Sequence, residues 1–139
     1  ALEIALACDL IYVAAEAKLG DTHAKWGLRP TWGMSQRLPR VVGLIKAKEL
    51  SFTADTFTGR DAEAIGLANK AVPLADLDAL VASVAAKIVA NSPDAIAAYK
   101  ELYNRGMATT LEEGLKIERS AAFDIRDTAD RLAQFTKKS

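Results

Sequence analysis

Three side chains near the start of the chain have the types and spacing for proton transfer: Glu3, Asp21 and His23. Glu3 is the only charge within Ala1 to Cys8. An apolar setting raises a carboxyl pKa toward the range where it can give and take protons near neutrality, while a place in the first turn of a helix favours the anion. The competing reading is a first-turn glutamate that merely suits a helix start. His23 is the sole histidine. An imidazole titrates near neutral pH and can act as acid or base, or it can be a structural, pocket-lining residue. Asp21 lies two residues earlier and shares the face of His23 on an extended segment. It joins the set only if the loop turns it inward.

The rest of the composition narrows the chemistry. One histidine and one cysteine cannot build a zinc site of the usual ligand types, so no metal is expected. The sequence holds no Gly-x-x-x-x-Gly-Lys, no Gly-x-Gly-x-x-Gly and no Gly-x-Ser-x-Gly, which argues against a nucleotide-dependent enzyme and a serine-elbow hydrolase. Eighteen basic and eighteen acidic residues give a net charge of zero, which points away from nucleic acid and anionic membranes as partners. No apolar stretch approaches the roughly 20 residues that a membrane-spanning helix needs. Cys8 has no second cysteine to pair with, so a reducing, cytoplasmic compartment is expected. In its apolar run it is expected to be a buried, inert thiol. The chain opens without Met directly in that run, as a sequence beginning inside a longer protein would.

The elements that must position these residues follow from periodicity. Leu2 to Ala7 reads as a short buried helix or the end of one. Leu10 to Ala14 (LIYVA) is a β-branched and aromatic run that predicts a buried strand. Lys18 to Asp21 reads as a short strand or turn ending at Gly20, and Gly27 to Gly33 as a loop punctuated by Pro30. Met34 to Val42 is predicted helical, broken or offset at Pro39, with Gly43 as stop and Leu44 to Phe52 as the next helix. Thr58 and Gly66 are candidate caps for a helix over 60–65. Leu67 to Val72 reads as extended, closed by Pro73. Beyond that point the pattern is helical. Leu77, Leu80, Val81, Val84 and Ile88 share one face. Ser92-Pro93 opens a helix to about Asn104. Thr110 and Glu113 have capping-box spacing for a helix through about Asp124, and 127–135 forms a last short helix with a basic end at Lys137 and Lys138. Strands in the first half and helices in the second give an α/β class, with residues 1–73 as part of a core and 74–139 as a helical subdomain.

Three ordered segments resemble the crotonase superfamily of enoyl-CoA hydratases and isomerases. Ala1 to Asp9 (ALEIALACD) is similar to the family helix that ends in Cys-Asp. Trp26 to Arg40 (WGLRPTWGMSQRLPR) is similar to its Gly-Leu-x-Pro-Gly-x-Gly-Gly-Thr-Gln-Arg-Leu stretch. Ala62 to Pro73 (AEAIGLANKAVP) is similar to its Ala-x-x-x-Gly-Leu-Val-x-x-Val-Val-Pro signature. The resemblance covers essentially the whole chain and implies part of a crotonase-like ββα core followed by a helical C-terminal subdomain for oligomerisation. Full members are longer. Their first half carries most of the ββα core and one oxyanion-hole loop, and a second N–H donor comes from a glycine loop just before the helix that Ala1 begins. The resemblance therefore implies that this stretch alone lacks at least one oxyanion donor and is inactive by itself.

The resemblance also implies roles. Glu3 falls at one of the two catalytic glutamates of the hydratases, moving a proton or holding the attacking water. His23 falls at the second, so this chain departs from the family there. A histidine can transfer a proton but cannot mimic the paired acceptor oxygens of a carboxylate, which puts standard hydration in doubt and leaves isomerisation or a lyase step open. Thr31 stands where the family has glycine after Pro30, and threonine lacks glycine's access to positive φ. Trp26, Thr31 and Trp32 are candidate acyl-pocket residues, Trp26 being the one that reads better as packing. Gln36 and Arg37 are expected to brace the helix after the loop, and Asp9 to be a structural hydrogen-bonder. Lys137 and Lys138 are candidate contacts to CoA phosphates or a solvated tail. The implied partner is an acyl-CoA thioester, with coenzyme A entering as part of the substrate and no separate cofactor, in a homotrimer or dimer of trimers. The alternative, motivated by His23, is a non-catalytic acyl-CoA-binding or interaction protein on the same fold.

Overall fold

Leu2 and Leu6, four residues apart, turn the short helix α1 (Leu2–Ala5) onto an apolar cluster with Met34, Leu38, Ala47, Ala62, Leu67 and Ala68. The computed structural model describes residues 1–136. They fall into two compact units, Ala1–Ala82 and a second from Ser83 onward.

In the first unit, β1 (Tyr12–Ala14), β2 (Lys18–Leu19), a 3-10 turn (Ala24–Trp26), α2 (Met34–Val42), α3 (Leu44–Thr53), β3 (Phe57–Thr58), α4 (Gly59–Ala64) and β4 (Lys70–Val72) follow α1, and α5 (Leu74–Val89) begins within it. β1 pairs in parallel with β4, Val13 opposite Ala71, and β2 pairs antiparallel with β3, Leu19 opposite Phe57. A parallel pair needs a crossover connection, and the intervening helices supply it. The third sequence motif explains how β4 docks. Asn69 donates its N–H to the Ile11 carbonyl at 2.7 Å and accepts the Ile11 N–H on Oδ1 at 2.7 Å. Glu63 accepts from Ala71 N–H at 2.9 Å and Lys70 Nζ at 2.7 Å. The lysine contact, then the backbone one, holds the Glu63 carboxyl below its ordinary pKa. Thr58 caps α4 in a reciprocal capping box with Asp61, and Gly66 follows the helix at φ +74°. At Gly59 a Cβ would lie 2.0 Å from the Ala14 carbonyl oxygen, so only glycine lets α4 start against β1.

Several expectations shift. The strand predicted over 10–14 is confined to Tyr12–Ala14. α2 runs unbroken through Pro39. Proline removes one ladder donor, yet Met34 and Leu38 on the same face are 2 % and 1 % exposed, and that burial holds the helix together across the gap. Cys8 is exposed, with Sγ 3.6 Å from the Ile4 carbonyl, because α1 turns Leu2 and Leu6 rather than Cys8 inward. The apolar stripe of α5 exists, but no residue of that helix is fully buried.

The second unit contains α6 (Pro93–Gly106), α7 (Leu111–Ser120) and α8 (Thr128–Thr136). Ser92 caps α6 by accepting from Ala95 N–H, and Thr110 caps α7 by accepting from Glu113 N–H. The Glu113 carboxylate goes to Lys116 at 2.6 Å. α7 stops at Ser120, earlier than the expected Asp124, and the chain turns through residues 121–127 to bring Arg126 and Asp127 back to the start of α6. There Asp127 accepts from Ser92 Oγ at 2.5 Å, and Asp94 accepts from Arg126 at 2.8 and 2.9 Å. Lys137 and Lys138, the candidate CoA contacts, lie outside the described residues.

Candidate functional site

Two of the three candidate acid–base side chains are tied down by one end and leave the other end facing its partner. Glu3 leaves α1 beside the loop that leads into α2. Its Oε1 accepts the backbone N–H groups of Trp32 and Met34, each at 3.2 Å. The setting expected from the apolar run is therefore replaced by two polar donors that fix the carboxylate. Its Oε2 lies 3.8 Å from His23 Nε2. The loop presents those donors because Gly33 takes φ +102° and Arg37 Nη1 donates to the Trp32 carbonyl at 2.8 Å. Arg37, expected to brace the helix after the loop, instead ties α2 back to the loop through this bond, and the positive φ falls on Gly33. Thr31 is not among the residues at positive φ, so its replacement of glycine costs no strain.

His23 is anchored from its other ring nitrogen. Nδ1 lies 2.6 Å from Asp21 Oδ1, and Ser51 Oγ on α3 donates to Asp21 Oδ2 at 2.7 Å. Asp21 is 4 % exposed and lies inward. Burial pushes its carboxyl up, but the hydrogen bonds from His23 and Ser51 outweigh it and hold the group below its ordinary pKa. A chain of four polar groups, Ser51, Asp21, His23 and Glu3, thus joins α3, the β2-to-α2 loop and α1. A cavity of about 280 Å³ opens beside it, lined by Asp21 and His23 and by the apolar side chains of Leu28, Met34, Leu38 and Phe52.

The three aromatic and loop candidates contribute differently. Trp26 and Trp32 are 69 % and 67 % exposed. Trp26 is not core packing: its ring carries Lys25 Nζ at 5.8 Å from the centroid. Neither tryptophan nor Thr31 lines the cavity at His23. Trp32 acts at Glu3 through its main chain. Ser51 and the two loop amides were not legible in the sequence. Ser51 is 30 residues from Asp21, and an amide carries no side-chain signature. A larger cavity of about 380 Å³ lies between α6 and α7, lined by Tyr99, Tyr103, Met107 and Leu115 with Glu118 as its one carboxylate. It holds no acid–base pair, so size does not make it the reactive site.

The enoyl-CoA hydratase/isomerase family model matches residues 1–137. The chain belongs to that family. It is 36 % identical over 139 residues to the short-chain-enoyl-CoA hydratase of Clostridium acetobutylicum, covering 98 % of this chain and 53 % of that protein. It is 34 % identical to the crotonyl-CoA hydratase of Syntrophomonas wolfei, covering 98 % of this chain and 54 % of that one. The crystal structure of enoyl-CoA hydratase from Bacillus anthracis superposes with a TM-score of 0.93 at 33 % identity, over 99 % of this chain and 54 % of that chain. The chain spans about half the length of the curated relatives it matches. Among the described residues no helix is long and apolar enough to cross a membrane.

Proposed function

We propose that the protein acts on an α,β-unsaturated or isomerisable acyl-CoA thioester, adding water across its double bond or moving that bond. The observation that carries this is the approach of Glu3 Oε2 and His23 Nε2 to 3.8 Å, from positions 20 residues apart, with His23 lining a largely apolar cavity. Hydration needs one group that takes a proton from water as it attacks Cβ and one that supplies a proton at Cα; isomerisation needs one group to move a proton between two carbons. Glu3, held by two amides, moves the proton, and His23 opposite it takes or returns the second. The thioester oxygen needs N–H donors to stabilise the enolate. The family resemblance assigns these to segments N-terminal to Ala1. The names of the relatives, which act on enoyl-CoA and crotonyl-CoA, support the substrate class.

The test is turnover of crotonyl-CoA and longer enoyl-CoAs by the full-length protein and by Glu3→Gln. Wild-type turnover with a loss in kcat on the order of 10³-fold in the variant supports the reading. Equal turnover in both sinks it. The histidine at position 23 motivates a second reading, an acyl-CoA-binding protein without turnover, which tight binding of crotonyl-CoA in the absence of any product would favour. A homotrimer or dimer of trimers is the assembly we infer. Exposed Leu74, Val81 and Val89 on α5 and exposed Tyr99, Tyr103 and Met107 on α6 support an assembled state, and light scattering measures it. A lone cysteine suits a reducing, cytoplasmic setting.

A further inference from the structure

We infer that Asp21 and Ser51 are positioning residues that fix His23 as the Nδ1–H tautomer, so that its Nε2 lone pair and the free oxygen of Glu3 form a two-acceptor seat for one water molecule. The inference deepens the proposed acyl-CoA reaction and rests on that reading for its catalytic consequence, but not for the tautomer itself.

The argument begins with what each nitrogen faces. Asp21 Oδ1 stands 2.6 Å from Nδ1. A carboxylate only accepts, so the proton of a neutral imidazole belongs on Nδ1. Burial opposes the Asp21 charge, but the hydrogen bonds from His23 and then from Ser51 Oγ, at 2.7 Å on its second oxygen, outweigh it and keep the group anionic. Both carboxylate oxygens are thereby used, and Asp21 has no free oxygen to present to a substrate. It acts through the histidine. Nε2 is then left with a lone pair. Across from it, Glu3 has a similar constraint, with Oε1 taken by two amides and Oε2 free. The free ends are 3.8 Å apart. That is too long for a direct hydrogen bond. A water oxygen about 2.7 Å from each would subtend roughly 90°, near the angle between its two O–H bonds. Both O–H groups would donate, one to each acceptor, leaving an oxygen lone pair directed away from them.

This arrangement supplies what a bare histidine lacks. In hydration the water oxygen forms its bond to Cβ while one O–H bond breaks. The proton passes to Nε2 or to Oε2, and the electron pair of the carbon–carbon double bond moves onto the thioester enolate. Return of one proton to Cα completes the addition, with no other reactant. The charged and titratable groups facing His23 are Asp21 from its own segment, Glu3 from α1 and Lys48 on α3, which lines the same cavity.

¹⁵N NMR of the full-length protein, with the His23 imidazole assigned as the signal lost in His23→Gln, reports this residue. The Nδ1–H neutral tautomer is expected at the pH of turnover. Asp21→Asn, whose amide can donate to Nδ1, is expected to move the proton to Nε2 and lower kcat roughly 10²-fold or more, with KM changed only a few-fold. Ser51→Ala leaves the Asp21–His23 contact in place. It is expected to give a smaller loss of a few-fold in kcat and a partial loss of the Nδ1–H signal, which keeps the test available should Asp21→Asn not fold. An Nε2–H tautomer or an imidazolium in the wild-type enzyme at that pH overturns the inference. So does an Asp21→Asn variant with unchanged tautomer and kcat. Absence of wild-type turnover alongside an Nδ1–H histidine would sink the hydratase or isomerase reading and leave the positioning role standing.

Discussion

Asp21 in the first unit and Asp94 in the second are both held below the ordinary carboxyl range, but by different partners and to different ends. Asp21 is buried, takes one donor from α3, and spends its other oxygen on a histidine whose second nitrogen remains open. Asp94 accepts from the side chain and the backbone of Arg126, which together hold its carboxyl at about 2. Its neighbour Asp127, held down by Ser92 and then by Arg131, completes a set of ties that pins the end of the 121–127 turn to the start of α6. The same functional group orients a reactive side chain in one unit and fastens segments of backbone in the other. What differs is the valence left over. The chain ending at Glu3 has a free oxygen and a free nitrogen; in the helical unit the acceptors named here are taken up by guanidinium, hydroxyl and backbone donors.

The sharpest way to break this comparison is through the packing under the first unit. Leu38→Ala removes a side chain that is 1 % exposed, packs in the core and lines the cavity at His23. It is expected to cost about 3 kcal/mol in a denaturant titration of the whole protein and to lower activity with it. A cost below about 1 kcal/mol would mean that this core does not support the site.

Gly33→Ala separates positioning from stability. A Cβ at φ +102° lies 2.1 Å from Arg37 Nη1. The substitution is expected to cost about 1–2 kcal/mol. Displacing the Trp32 and Met34 amides should also lower kcat on the order of tenfold beyond that. Unchanged kcat would show that those amides do not matter to Glu3.

Ser92→Ala in the second unit removes the α6 cap and the donor to Asp127 together. It is expected to lower stability by about 1 kcal/mol with kcat unaltered, measured by thermal unfolding and steady-state assay on the same preparation. A change in kcat without a change in stability would reverse the assignment of roles.

The smallest effect is in acid. The Asp94 carboxyl titrates lower in the folded state than its ordinary 3.8. Its contact with Arg126 therefore contributes stability above that value and loses it as the pH falls toward 2. The wild type is expected to be more stable than Asp94→Asn near neutrality, and the difference should close as the pH drops below about 4. A difference independent of pH would show that the carboxylate charge is not what fastens the turn. The exposure of Arg126, 75 % at its side chain, and screening by salt keep the effect small.

Much of this was written in the sequence. Local signals act over a turn or two, and they hold: Thr58, Ser92 and Thr110 cap helices where their spacing says they should. Gly59 was missed because its reason is a carbonyl 45 residues away. The motif-bearing segments sit where the family resemblance leads one to expect, and Glu3, Asp21 and His23 were legible as residue types capable of proton transfer. Their arrangement was not. Which nitrogen of His23 is occupied depends on an aspartate turned inward and a serine on another helix, and which oxygen of Glu3 is free depends on two main-chain amides in a loop. Sequence pattern reports periodicity and chemistry along the chain. Only tertiary packing decides which donors and acceptors are used up and which two are left facing each other.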